Sequence, residues 1–171
     1  MGTGSKVASV ILRLGELCCA AIVTAILNRF FYLVNLGNGW YHGRLIYAEV
    51  IAILGIVVSI ILLPPLKYSF YAWPIDVIVF VAWLVAFSLL ANLTAGHTCS
   101  ATWYWSYWGV YWGRFWNPGL VVTPALIGGA GCSSWTAVLT FLFMGSMAFL
   151  LSSILVSSVI FIHPVGIFNA S

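Results

Sequence analysis

The chain has 171 residues, of which 63% are hydrophobic and 5% charged, against roughly 45–50% and about 25% in soluble domains. Six basic and three acidic side chains cannot coat a water-soluble surface of this size, and a net charge of +3 is too small to track nucleic-acid phosphates. Composition therefore speaks against a water-soluble enzyme, a disordered tail and a nucleic-acid binder, and for an integral membrane protein.

Four apolar segments are long enough to span, at about 7–33, 45–63, 73–93 and 135–162. A helix needs about 20 residues to cross roughly 30 Å of hydrocarbon. A β-barrel would show strict alternation, but IAILGIVVSIILL and VIVFVAWLVAF are apolar on every side. The expectation is an all-α membrane protein: a four-helix transmembrane bundle forming one domain, with an extracellular aromatic interfacial helix between spans three and four. The many isoleucines and valines favour strands in water, and closed hydrogen bonding in lipid overrides them.

In segment one, Arg13 and Glu16 stand three apart and share a helix face. They are expected to neutralise one another, with Arg13 snorkelling to the nearby surface. The segment is too long for a signal peptide and carries these charges. Asn35, Gly37, Asn38 and Gly39 make a turn-rich loop. In segment two, Glu49 is expected to meet Arg29 or Arg44. Ala48, Ala52, Gly55 and Ser59 form a small-residue stripe suited to close helix packing. Pro64 and Pro65 stop this segment and Lys67 follows.

Asp76 opens segment three and is expected to accept from its own helix amides, or to approach Glu16. Asp76 and Trp83 share a face. Asn92-Leu93-Thr94 fits a glycosylation acceptor but lies close to the bilayer.

The connection 94–134 holds Cys99 and Cys132 at its ends, the expected disulfide, with free thiols as the alternative. Cys18 and Cys19 read as small packing residues. Between 103 and 116, nine of fourteen residues are aromatic. Trp105, Trp108, Trp112 and Trp116 recur at helical spacing, as do Tyr104, Tyr107, Tyr111 and Phe115, with Trp103 ahead of them. This predicts a helix along the outer interface or capping the bundle, ended by Asn117-Pro118-Gly119. It suits anchoring, assembly or lipid binding. The apolar run 120–127 is expected to dip against the bilayer or bundle. Gly128-Gly129-Ala130-Gly131 reads as a flexible approach to Cys132. In segment four, Gly145, Ser146, Ala148, Ser152 and Ser153 supply small residues, with Ala148 and Ser152 on one seam.

An even span number puts both termini on one side. Basic residues divide three against three, so charge gives no orientation. No metal, nucleotide or nucleophile motif is visible. His42, His97 and His163 are scattered. No cofactor and no catalysis are expected.

Arg13-Leu-Gly-Glu16, then Arg44 and Tyr47, then Asp76 with Phe80, Trp83 and Phe87, and finally Trp135 before a Ser/Ala/Leu-rich helix occur in that order. The set resembles fungal MARVEL-domain tetraspan proteins over nearly the whole chain. Glu16 stands where that family usually has glutamine, and the polar, basic tail of many relatives is missing. The resemblance implies cytosolic termini, a plasma-membrane or vesicle location, and homo-oligomers that organise microdomains. Membrane lipids, sterol among them, are the expected partners on the reading of the aromatic stretch as a lipid site. A small channel or transporter, or an accessory subunit of a larger membrane complex, is the alternative.

Overall fold

The computed structural model describes residues 3–63, 73–94, 99–116 and 122–162. Helix α1 is Thr3–Leu36, α2 is Gly43–Leu62 and α3 is Trp73–Thr94. A π-helical turn, Tyr104–Trp108, continues into α4, Gly109–Trp112. Then come α5, Pro124–Ile127, and α6, Cys132–Ile162. There is no strand among the described residues. Among the described residues, four helices are long and apolar enough to cross a membrane: Val7–Leu36, Gly43–Leu62, Pro74–Thr94 and Cys132–Ser158. The chain is a four-span membrane protein, with its aromatic segment between the third and fourth spans as expected.

The bounds shift slightly. Helix α1 runs on to Leu36, and Asn38 then takes a left-handed conformation, φ 52°. The Gly39 amide donates to Val34 and the Asn38 amide to Asn35, a Schellman closure. Helix α6 starts at Cys132 rather than Trp135. The expected stop at Pro64–Pro65, Lys67, His97, Asn117-Pro118-Gly119 and His163 lie outside the described residues.

Helix α6 packs on both α1 and α3, while α2 packs on α1 and, less extensively, on α3. The core is a column of fully buried side chains, including Val23, Leu27 and Phe30 of α1, Trp83 of α3 and Leu142 and Phe149 of α6. The α2 stripe Ala48, Ala52, Gly55 and Ser59 faces inward as expected. Its purpose is visible at Trp83. A Cβ on Gly55 would stand 2.8 Å from the Trp83 Cζ2 atom, and one on Gly145 would overlap the other side of the indole. The two glycines form the seat of this fully buried tryptophan. On α6 the seam runs through Gly145, Ser146, Phe149 and Ser152; Ala148 is only partly buried.

Candidate functional site

Where α1 and α3 begin and α2 and α6 end, five polar side chains meet inside the bundle. The Arg13 Nη1 atom donates to Glu16 Oε2 at 2.8 Å and to Asp76 Oδ1 at 2.8 Å. Its Nη2 atom donates to Asp76 Oδ2 at 2.5 Å. The guanidinium thus forks onto Asp76 across α1 and α3 while holding Glu16 on its own helix, the two-pronged geometry that suits arginine. Ser152 of α6 donates to Glu16 Oε1 at 2.5 Å, and Ser59 of α2 donates to Glu16 Oε2 at 3.4 Å. Each spanning helix contributes at least one group.

The expected Arg13–Glu16 pair is present, but Arg13 does not snorkel. Only 1% of its side chain is exposed, and Glu16 and Asp76 are fully buried. The reason is Asp76: a second carboxylate in the first turn of α3 draws the guanidinium inward. Among the described residues, the hydrogen bonds that Asp76 accepts come from Arg13 of α1. In lipid no water competes for these groups, and an unpaired charge there is expensive. The cluster carries one positive and two negative formal charges.

Glu49 behaves differently. It is 7% exposed, on the same inward face as Ala48 and Ala52. Neither carboxyl oxygen has a hydrogen-bond partner among the described residues. The expected contact with Arg29 or Arg44 is not formed. Arg44 points its Nη1 at the Leu89 carbonyl, 3.5 Å away, and the Arg29 guanidinium lies 5.7 Å from the Tyr32 ring. Both arginines are exposed, because a long side chain near a helix end reaches polar surroundings more cheaply than it enters the core.

The opposite end is closed by the aromatic segment. Cys99 and Cys132 are disulfide-bonded with Cα atoms 5.7 Å apart, and Cys18 and Cys19 are free. Tyr104 and Trp108 are fully buried, so this segment caps the bundle. Trp108 stacks on Phe30 of α1, centroids 4.3 Å apart, and meets Trp135 of α6 edge-on at 4.9 Å. Trp103 packs on Trp135 at 5.0 Å. The Tyr104 hydroxyl donates to the Ala130 carbonyl at 2.7 Å, and Trp108 Nε1 to the Gly131 carbonyl at 3.0 Å. The expected flexible glycine run is therefore a fixed turn. Gly131 has φ 73°, and a Cβ there would press into the Trp112 indole.

The helix ends at Trp112, short of Trp116. Arg114 takes φ 57°, the Phe115 amide donates to Val110 and the Arg114 amide to Tyr111. Trp116, beyond that closure, stacks near Tyr111 at 6.4 Å instead of extending the tryptophan stripe. Ile127 of α5 is buried beside Gly109, so this part of the apolar run 120–127 turns toward the bundle. Tyr107 donates to the Trp40 carbonyl. Its phenol, pushed up to about 12 mainly by burial, stays a donor at neutral pH. His42 sits edge-on to Trp103 and Tyr107, 5.9 Å from each; burial first, and then the Arg44 charge, hold it below the ordinary histidine value. Asn92 is exposed, but Thr94 of its acceptor motif is buried in the last turn of α3 with its hydroxyl donated to Ala91.

The sequence reading missed Phe30 and the receiving role of Trp135, which look like ordinary core aromatics. It also missed the Arg13–Asp76 fork, which needs the relative height of two helices. No protein-family model, curated protein or solved structure matches the chain.

Proposed function

We propose that the protein is a structural membrane organiser, without catalytic activity, that self-associates through its outward helix faces and orders the lipid around it. The observation behind this reading is the Arg13–Glu16–Asp76 cluster, closed by Ser59 and Ser152. Its charges serve to tie the spanning helices to each other. A rigid four-helix unit then presents apolar faces outward, such as Ile46, Val50, Ile53, Val57 and Ile60 on α2. Small residues occupy the interior seam, leaving bulky branched side chains for lipid, sterol or a second copy.

The likeness to fungal MARVEL-domain proteins supports the same reading, with cytosolic termini and a plasma-membrane or vesicle location. Electron microscopy of the assembly extracted in native lipid tests it. A closed ring or lattice with lipid between protomers is expected. A dispersed monomer would contradict it.

The second reading, a small transporter or channel or a subunit of one, is favoured by Glu49, a buried carboxyl without a hydrogen-bond partner among the described residues. Ion or proton flux in protein-loaded vesicles would support it and count against a purely structural role.

A further inference from the structure

We propose that Glu49 is a proton-binding site inside the membrane-spanning bundle, its carboxyl held as the neutral acid while Glu16 and Asp76 are paired with Arg13. The inference is independent of the organiser reading.

Glu49 is 7% exposed and neither of its oxygens has a partner among the described residues, whereas Arg13 serves the other two carboxylates directly. The chain has three acidic side chains in all, so one is set apart from the rest. Burying an ionised carboxylate without a partner costs far more than burying the neutral acid, and such groups neutralise instead.

Among the described residues, the surroundings do not supply a counter-charge. Ser59 against Glu16 sets the antiparallel register of α2 on α1. Counting from that pair puts Glu49 level with Ile26, next to the fully buried Leu27. The parallel pair Arg13–Asp76 puts Leu89 and Leu90 of α3 at the same height. Arg29 and Arg44 are turned outward, onto Tyr32 and the Leu89 carbonyl. The Tyr47 hydroxyl is directed to the Ala82 carbonyl. Among the described residues, the aromatic end carries His42 and Tyr107, which lie edge to face, and Tyr107 donates to the Trp40 carbonyl. Thr24 of α1, a turn or less away in height, has a buried hydroxyl that also lacks a partner among the described residues.

A metal cation is the other way to neutralise the charge. It would need a cage of several oxygens. The described residues hold no group of three or more histidine, cysteine or acidic side chains placed to hold one. A proton needs only the one carboxyl. The site would therefore take up and release a proton between α1 and α2, giving that helix pair two charge states.

Infrared spectroscopy of the full chain in lipid vesicles tests this, because only three acidic side chains contribute. At pH 7 the wild type should show a carboxylic-acid carbonyl band that shifts in heavy water and disappears at high pH. Glu49→Gln should lose that band entirely, and Glu16→Gln should keep it. If Glu49→Gln does not accumulate, glutamate labelled with carbon-13 at the side-chain carboxyl, in the Glu16→Gln background, assigns the band to Glu49 or removes it from Glu49. Absence of an acid band at pH 7, or its persistence in Glu49→Gln, would overturn the proposal. So would a Glu49 carboxylate band that moves when sodium is exchanged for choline, which would make the ligand a metal cation. Failure of the organiser reading would leave these spectra unchanged.

Discussion

The two ends of the bundle are closed by opposite chemistry. Near the start of α1, a few charged and hydroxyl groups join all four spanning helices over hydrogen bonds of 2.5–3.4 Å. Toward the other end, a disulfide and a stack built on Phe30, Trp108 and Trp135 join α1 to α6 through area. The first kind of closure is strict. Removing Arg13 leaves two carboxylates in lipid without a cation, and they have no water to fall back on. The second is distributed, so its members share the load. The comparison predicts that the polar end fails abruptly and the aromatic end by degrees.

The largest effect should come from Arg13→Gln, which leaves Glu16 and Asp76 facing one another without a cation. A loss of about 3–5 kcal/mol is expected, read as unfolding in mixed micelles by tryptophan fluorescence. Asp76→Asn should cost distinctly less, because Arg13 and Glu16 remain a neutral pair. Equal losses from the two variants would mean that formal charge balance is not what matters there.

Reducing Cys99–Cys132 is expected to cost slightly less. The bridge closes a separation of 33 residues, for which chain entropy gives about 3–4 kcal/mol. The loss should be partial, since the Tyr104 and Trp108 hydrogen bonds to Ala130 and Gly131 remain. Unfolding with and without a reductant measures it. An abrupt collapse on reduction would show that the aromatic contacts have no strength of their own.

Gly145→Val should follow, at about 1–3 kcal/mol from overpacking. The new methyls would meet Trp83, which Gly55 already confines from the other side. The same fluorescence assay reports it, with a shift in the environment of Trp83.

The smallest effect should be acid sensitivity of the cap. His42 titrates below its ordinary value in the folded chain, so as pH falls the unfolded chain takes up the proton first. Its contribution is whole above the ordinary histidine value, about 6.5, and is lost as pH drops through the lowered one. The slope of stability against pH in that window should flatten in His42→Asn.

The sequence made the four spans legible because their length and composition leave little choice in lipid. It also made legible the Arg13–Glu16 pair, which depends on one helix alone, and the disulfide, whose cysteines bracket the long connection. What escaped it depends on distances between elements. Asp76 sits beside Arg13 only because α1 and α3 are parallel and in register. Arg44 and Glu49 are close in sequence, yet the guanidinium turns outward and the carboxylate inward, so charge proximity misled. The stripe ending at Trp116 assumed that the helix continued, and a left-handed Arg114 carries no glycine signal to warn of the closure. The ordered turn at Gly128–Gly131 is fixed by cap side chains from across the connection, which composition alone reads as flexibility.

The central claim is that Arg13 and Asp76 act as one unit holding α1 to α3. A double-mutant cycle with Arg13→Gln, Asp76→Asn and the double variant, measured by unfolding in one lipid–detergent mixture, tests it most directly. Contacting groups couple by about 0.5–3 kcal/mol, and a value near the top of that range is expected for a buried two-pronged ion pair. Additive losses, with coupling indistinguishable from zero, would contradict the account.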